Sequence, residues 1–326
     1  MKLLVLSHDD IEALLPMDRC IALMRETLAG LARGEYFQPL RSGMRPPGAA
    51  GVFGLMPSYR AAPTPYFGLK EICVFPGNAA SGLDAHQGLV LLHDGSNGQP
   101  VAAMNASAIT AIRTAAVSAV ATDALARADA VVLALVGAGV QARAHLDAIS
   151  RVRELRDIRI TSRGGGHAED LAREARSRGL PARAAVPEDA VRGADVVVTV
   201  TSSRVPVLRG EWLEPGMHVN AVGASARMGR ELDTAAIARA ALFVDSREST
   251  ENESADYLEA VREGAITSDH IRAELGEVLA GMAPGRRDDG ELTLFRSLGV
   301  AIEDLAAAER AVATARERGI GTEVEL

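Results

Sequence analysis

The hydrophobic pattern changes period several times along the chain. Over residues 7–34, Ile11, Leu14, Leu15, Ile21, Met24, Leu28 and Leu31 recur at helical spacing, with Ser7 and Asp10 available as caps. Pro16 falls inside this run and predicts two helices rather than one, because it lacks a backbone donor. From about residue 37 to 106 the texture shortens to β-like runs between Gly, Pro and Asn breaks, among them VFGLMPSY, YFGLKEICVF, LVLLHD and QPVAAM. Asn97-Gly98 between the last two predicts a hairpin. TAIRTAAVSAVATDALA, from Thr110, then reads as a strong helix. Beyond it VVLALVG, DIRITSR, ADVVVTVTS, HVNAVGAS and ALFVDS alternate with helical segments, the signature of a parallel sheet with crossover helices. The terminal stretch TLFRSLGVAIEDLAAAERAVATARERG reads as one more long helix with a glycine stop. The pattern therefore predicts a β-rich N-terminal domain followed by a doubly wound α/β domain, and no internal repeat interrupts it.

Length and composition fit that division. A chain of 326 residues is long for one core. With 48% hydrophobic and 24% charged residues it has the balance of a globular protein. A formal net charge of −8 argues against nucleic acid or an anionic membrane as partner. MKLLVLSHDD turns acidic too early for a signal peptide, and no run reads as a membrane span of about 20 apolar residues. Cys20 and Cys73 lie in apolar runs without metal-like spacing, which suits a reducing cytoplasmic setting. The basic residues are 33 arginines and two lysines, Lys2 and Lys70. Codon bias accounts for the ratio, yet it draws attention to the lysine in mid-chain.

LALVGAGVQARAHL, at 133–146, joins an apolar run to a helix through Gly137, Gly139 and Ala142, giving G-x-G-x-x-A. A dinucleotide site needs this order: a strand, a tight glycine turn, and a helix N-terminus facing the pyrophosphate. A bare structural turn and a methyltransferase are the alternatives. The next run ends Thr161-Ser162-Arg163, with no acid until Glu169, where an NAD site usually carries one for the ribose 2′-hydroxyl. Ser162 and Arg163 suit a 2′-phosphate instead, so NADP(H) is preferred and NAD(H) possible. The same absence counts against a methyltransferase.

Two further basic residues sit in unusual company. Lys70, in YFGLKEICVF, shares a strand face with Gly68 and Ile72. Facing inward it would lose hydration and its pKa would fall; facing outward it is an ordinary surface lysine. Arg113, in TAIRTAAVSAV, has only small or apolar neighbours, so it either snorkels at a domain boundary or clamps a carboxylate. Arg41, in QPLRSGM, precedes a β-like run. His86, His93 and His167 fall in loop or hairpin contexts and read as solvated, and His218 precedes a buried run. No His, Cys and Asp grouping has metal spacing, and the basic run over 151–163 reads as a solvated helix face plus a cofactor contact.

QPLRSGM, FGLMPSY, GLKEI, TAIRTAAVSAVATDALA, VGAGVQAR, TVTSS, LEPGMHVNAVGAS, RELD and TLFRSLGVAIEDLAAA, in this order over nearly the whole chain, resemble the ornithine cyclodeaminase/mu-crystallin family. The resemblance implies an α/β fold: a Rossmann doubly wound parallel sheet over 116–302, plus a smaller α+β substrate-binding and dimerisation domain from 1–115 and 303–326. It implies a homodimer and a nicotinamide enzyme working at the C–N bond of an amino or imino acid. Position by position, Arg41, Lys70 and Arg113 match the substrate-carboxylate and catalytic cluster. Gly137, Gly139, Val140, Gln141 and Ala142 match the pyrophosphate turn, and Thr201, Ala221, Val222 and Gly223 match segments on the nicotinamide side.

Two local departures bear on the reaction. Cyclodeaminases carry an aspartate just after the glycines of the NAVGG loop, where this chain has Ser225. They read Asp-Ser-x-Gly where it has Arg296-Ser297-Leu298-Gly299. Serine is a poor general base but can hydrogen-bond a substrate or position water. The expectation is therefore a reductase of cyclic or N-substituted imino acids, of ketimine reductase type. Arg41 and Arg113 would hold the carboxylate, and Lys70 or Ser225 would serve the proton. The alternatives are an ammonia-releasing ornithine or lysine cyclodeaminase, an alanine dehydrogenase-like enzyme, and a non-catalytic small-carboxylate binder.

Overall fold

A computed structural model describes residues 2–224 and 229–325. The chain forms two compact units: residues 1–114 with 300–326, and residues 115–299.

The first unit begins with β1 (Lys2–Leu6), α1 (His8–Leu14) and α2 (Met17–Ala32). Ser7 caps α1 in a reciprocal box: its Oγ accepts from the Asp10 amide at 3.2 Å, and the Asp10 carboxylate accepts from the Ser7 amide at 2.8 Å. Pro16 is the N-cap of α2, so the helical run divides where its proline predicts. Next come β2 (Tyr36–Phe37), β3 (Ser42–Met44), β4 (Val52–Arg60), β5 (Tyr66–Val74), β6 (His86–Asp94) and β7 (Pro100–Asn105). The strands β6 and β7 are antiparallel neighbours, and the connection between them carries Asn97 and a left-handed Gly98 at φ +78°.

The helix α3 (Ala106–Leu125) runs across the division between the units. Contrary to the expectation from sequence, its 20 residues are long and apolar enough to cross a membrane, with a mean hydropathy of 1.3 over an 18-residue window. Of that window 72% is buried inside the protein, and a helix apolar all round is what a core position requires.

In the second unit strands and helices alternate: β8 (Val132–Val136), α4 (Val140–Ile149), β9 (Asp157–Thr161), α5 (Gly166–Ser177), β10 (Ala182–Ala184), α6 (Pro187–Val191), β11 (Val196–Thr199), β12 (His218–Ala221), α7 (Thr234–Arg239), β13 (Ala241–Val244), α8 (Arg247–Glu253), α9 (Ala255–Arg262), β14 (Ile271–Glu274), α10 (Leu275–Leu279) and β15 (Thr293–Arg296). The sheet order is β10-β9-β8-β11-β12-β15-β13-β14, parallel throughout. Strand order reverses between β8 and β11, which in an open α/β sheet marks the crevice where ligands bind. The unit is a Rossmann-type fold.

The chain then returns to the first unit as α11 (Ala301–Arg318) and β16 (Thr322–Glu325). That corrects the reading of the terminal stretch as a single helix. TLFR is a strand, and Gly299, at φ +76°, turns the chain before α11 starts. Thr293 and Arg296 bracket only two apolar residues, so no apolar run sets this buried strand apart from the helix that follows. The basic run over 151–163 is likewise not a helix face. Residues 151–156 form turns and 157–161 are β9, where Arg159 pairs with Asp157 at 2.6 Å.

The sheet of the first unit, β16-β1-β7-β6-β5-β4-β2 with β3 paired to β4, presents two kinds of row. Leu6, Met104, Val90, Lys70 and Met56 are neighbours across five strands and are all buried. One residue along, Val5, Ala103, Leu91, Leu69 and Pro57 line up on the opposite face, where Val5, Leu91, Leu69 and Pro57 are only partly covered. The helix α11 packs on the inner face. It comes so close at Gly68 that an added Cβ would lie 3.0 Å from Leu305 Cδ1.

Candidate active site

Lys70 takes the inward alternative. It is 3% exposed, with its Nζ 2.8 Å from Asp304 Oδ2. The close seating of α11 at Gly68 brings that carboxylate within reach. Asp304 and Glu303 lie in the first turn of α11, where the helix dipole favours negative charge, and both are buried. Arg113, inside α3, donates from Nε to Asp304 Oδ1 at 3.1 Å and from Nη1 to Glu303. Its company of small apolar residues is thus explained by two acids from the far end of the chain, not by snorkelling. Arg41 stands one residue before β3, close enough for its charge to act on Lys70.

The cluster is tuned by its burial. Loss of hydration, then repulsion from Arg113, pushes the Lys70 pKa down to about 8, against the attraction of Asp304. Burial alone would raise Asp304, but Arg113 and Lys70 outweigh it and hold this carboxyl below its ordinary value. The result is a fixed anion beside a lysine with a pKa of about 8, in a setting of three cations and two acids. Such a set can bind a small carboxylate and pass a proton. Cys20 is no nucleophile, because burial pushes its thiol up to about 12. Glu303 and Asp304 were not among the residues expected from sequence. Their signal was a pair of acids leading directly into the apolar run LAAA.

In the second unit, Gly137 follows β8 at φ +126°, and an added Cβ would lie 2.8 Å from the Val200 carbonyl oxygen. Only glycine fits there. Gly139 is the N-cap of α4 and has open space where a side chain would project, so the first-turn amides of Val140 and Gln141 are approachable. Val140 is 58% exposed, Ala142 is buried, and Gln141 Oε1 is a buried atom without a hydrogen-bond partner among the described residues. This is the cradle a dinucleotide pyrophosphate requires, and the residues fit the group. His145 anchors the helix: its Nδ1 donates to the Gln141 carbonyl at 2.7 Å, leaving Nε2 to accept from Ser118 Oγ at 2.9 Å. Burial keeps it neutral, with a pKa of about 4.

At the end of β9, Ser162 Oγ accepts from the Ala168 amide at 3.1 Å, which leaves its hydroxyl proton to donate, and Arg163 is exposed. The acid of this strand, Asp157, is at its opposite end and serves Arg159 and Arg183. Thr201 and Gly223 follow β11 and β12 and are tied together by Glu231. Its carboxylate accepts from Thr199 Oγ1 at 2.8 Å, from Thr201 N and Oγ1 at 2.6 and 2.7 Å, and from Gly223 N at 2.8 Å. A Cβ on Gly223 would meet Thr201 O at 2.2 Å. Ala221 and Val222 are buried, and Ser225 lies outside the described residues. His218 is fully buried, with a pKa pushed down to about 3 mainly by burial, which removes it as a base. One potential metal grouping not expected from sequence does exist among the described residues: His8, Asp9 and Glu12 on α1, all exposed. Exposed acids at a helix start are common without an ion.

The description of the ornithine cyclodeaminase/mu-crystallin family matches residues 1–318. The chain is 40% identical to ketimine reductase mu-crystallin of Mus musculus over 276 residues, covering 85% of this chain and 84% of that one. The structure of Thermococcus litoralis Delta(1)-pyrroline-2-carboxylate reductase in complex with NADH and L-proline superposes with a TM-score of 0.96 at 36% identity, covering 99% of this chain and all of the other. An archaeal alanine dehydrogenase dimer with bound NAD gives a TM-score of 0.94 at 32% identity, covering 100% of each chain.

Proposed function

The chain belongs to the ornithine cyclodeaminase/mu-crystallin family, and from that premise we propose that it is an NAD(P)H-dependent reductase of imino acids, cyclic ones foremost. The observation that carries this reading is the buried Lys70–Asp304–Arg113 cluster, a receptor for a small anion that includes a titrating proton carrier. A reduced nicotinamide, when bound, supplies the hydride that turns C=N into CH–NH. The chain's own residues hold the reactants and manage the proton. Arg41 and Arg113 attract the substrate carboxylate, with the guanidinium of Arg113 oriented by Glu303 and Asp304. Lys70 Nζ carries a proton below a pKa of about 8 and would keep the imine nitrogen protonated, its more electrophilic form.

In the second unit Gly137, Gly139, Val140, Gln141 and Ala142 would receive the pyrophosphate. Ser162 and Arg163 favour a 2′-phosphate, so NADPH is the preferred reductant. Support for the substrate class comes from the Mus musculus ketimine reductase and from the Thermococcus litoralis pyrroline-2-carboxylate reductase that holds NADH and L-proline. The cyclodeaminase alternative is disfavoured by Ser225, which cannot act as the carboxylate base of that reaction. The likeness to an alanine dehydrogenase keeps oxidative deamination as a second reading, since that reaction passes through the same kind of imine.

The chain would act as a homodimer. The partly covered row of Val5, Leu91, Leu69 and Pro57, with Phe67 and Leu89 on the same face at 49% and 41% exposure, is an apolar sheet face that a second copy can bury. One panel tests the proposal: cyclic imine-2-carboxylates with NADPH or NADH, alanine with NAD, and ornithine with catalytic NAD. Imine-dependent cofactor oxidation, with the ring amino acid as product, is the expected result. Ammonia and proline from ornithine without imine reduction would reject it.

A further inference from the structure

Three charged side chains of the second unit, Arg296, Asp256 and Glu231, are fully buried and play no part in the roles assigned above to substrate or cofactor binding. Burying charge is costly, and an apolar filling of the same volume is often at least as stable. Their geometry has a different content. Arg296 is the last residue of β15 and the largest fully buried side chain among the described residues. Its Nη1 donates to the Ala221 carbonyl at 2.7 Å, its Nη2 to the Ala224 carbonyl, and its Nε to Ser254 Oγ at 3.1 Å. The fork therefore grips both ends of the 221–224 segment.

Arg296 Nη2 lies 3.3 Å from Asp256 Oδ2. The other oxygen of Asp256 accepts from the amides of Glu231 and Leu232, at 3.0 Å each. Glu231 in turn holds Thr199, Thr201 and Gly223. Gly223 belongs to the segment that Arg296 already holds, so the contacts close into a ring. What the ring fixes is the backbone that follows β11 and β12, at the carboxyl ends of the strands, where an open α/β sheet binds its ligand.

We propose that Arg296, Asp256 and Glu231 form a closed buried ring that positions the loops after β11 and β12 for hydride transfer, with Arg296 as a positioning residue that touches neither substrate nor cofactor. The inference rests on the reductase reading. It differs from a structural staple in what it predicts: loosening the ring slows the chemical step in protein that is folded and cofactor-bound.

Arg296→Met alone would strand the Asp256 carboxylate in the interior, so the test variant is Arg296→Met with Asp256→Asn, which removes both charges while the Asn side-chain oxygen still accepts from Glu231 and Leu232. Thr199→Val, nearly isosteric, removes one bond to Glu231 and leaves no charge unpaired. Arg296→Lys keeps the charge and serves as the rescue. Each is measured for melting temperature, NADPH dissociation constant, kcat at saturation, and the primary isotope effect on kcat with nicotinamide deuterated at the transferred position. Wild-type turnover of an imine is established first, and its failure would count against the reductase reading rather than the ring. With wild type active, the ring predicts that the double variant binds NADPH within about threefold of wild type yet loses about 10- to 100-fold in kcat, with a larger isotope effect. Thr199→Val should move both quantities the same way by less, and Arg296→Lys should recover most of the loss. A lowered melting temperature with kcat and the isotope effect unchanged, in the double variant or, should that not fold, in Thr199→Val, would overturn the proposal.

Discussion

Replacing Lys70 by methionine removes the one titrating cation of the first unit's cluster while nearly keeping its volume. In the native protein the ammonium is fully enclosed and its pKa stands at about 8 instead of the ordinary 10.5. That difference corresponds to roughly 3 kcal/mol by which folding favours the neutral amine over the ammonium. Two consequences follow. For activity, a required Lys70 ammonium makes kcat/KM level below pH 8 and lets it fall about tenfold per pH unit above it. Lys70→Met should flatten that limb and lower kcat/KM by about 30- to 100-fold, the worth of one charge-assisted hydrogen bond. For stability, the folded-state pKa lies below the unfolded one, so between pH 8 and 10.5 the unfolded chain binds more protons and stability rises with pH. The penalty of the buried ammonium is therefore complete below pH 8. Lys70→Met should melt no lower than wild type at pH 7, and any advantage should shrink towards pH 10.5. The assay is a set of pH–rate profiles with NADPH and a cyclic imine-2-carboxylate, paired with thermal melts. The imine also titrates, but its ionisation is common to both proteins. The same alkaline limb in Lys70→Met as in wild type would refute the assignment.

Asp304→Asn removes the main attraction that keeps Lys70 charged, so the alkaline limb of kcat/KM should move below pH 8; a limb that stays or moves upward contradicts the pairing. Gly223→Ala forces a methyl group against the Thr201 backbone, where a Cβ would sit 2.2 Å from the oxygen. It should cost about 1–3 kcal/mol in thermal or denaturant unfolding and raise the NADPH dissociation constant at least tenfold. Arg163→Ala should reduce kcat/KM for NADPH by about 10- to 100-fold and leave that for NADH nearly unchanged, the difference being one charged contact to the 2′-phosphate.

What could be read from the residues was whatever rests on local chemistry. Gly137 and Gly139 between a buried strand and a helix, Pro16 inside a helical run, and Asn97-Gly98 between strands each impose one backbone outcome, and the structure adopts it. Strands β8, β9, β11, β12 and β13 of the parallel sheet announced themselves within apolar runs, whereas β10, β14 and β15 each hold only two apolar residues beside an arginine, so no apolar run marks them. Asp304 was hidden differently: an acid in the first turn of a helix is ordinary, because the helix dipole favours it, and only the tertiary approach of Lys70 and Arg113 makes it part of a site. Arg296, Asp256 and Glu231 come from separate elements and no periodicity connects them. The rearrangement of charges in the interior is a property of the fold, so neither spacing nor composition announces it.

The most direct test of the central claim compares two rings under one lamp. Purified protein with NADPH is given a six-membered cyclic imine-2-carboxylate and, separately, the same ring without its carboxylate, while absorbance is followed at 340 nm. Reduction that saturates with the carboxylate-bearing ring, and is at least about 100-fold less efficient in kcat/KM with the other, is the expected result if the Lys70, Arg113 and Arg41 cluster receives the carboxylate. Equal rates with both rings, or no oxidation of NADPH or NADH by either five- or six-membered imine carboxylates, would contradict the account.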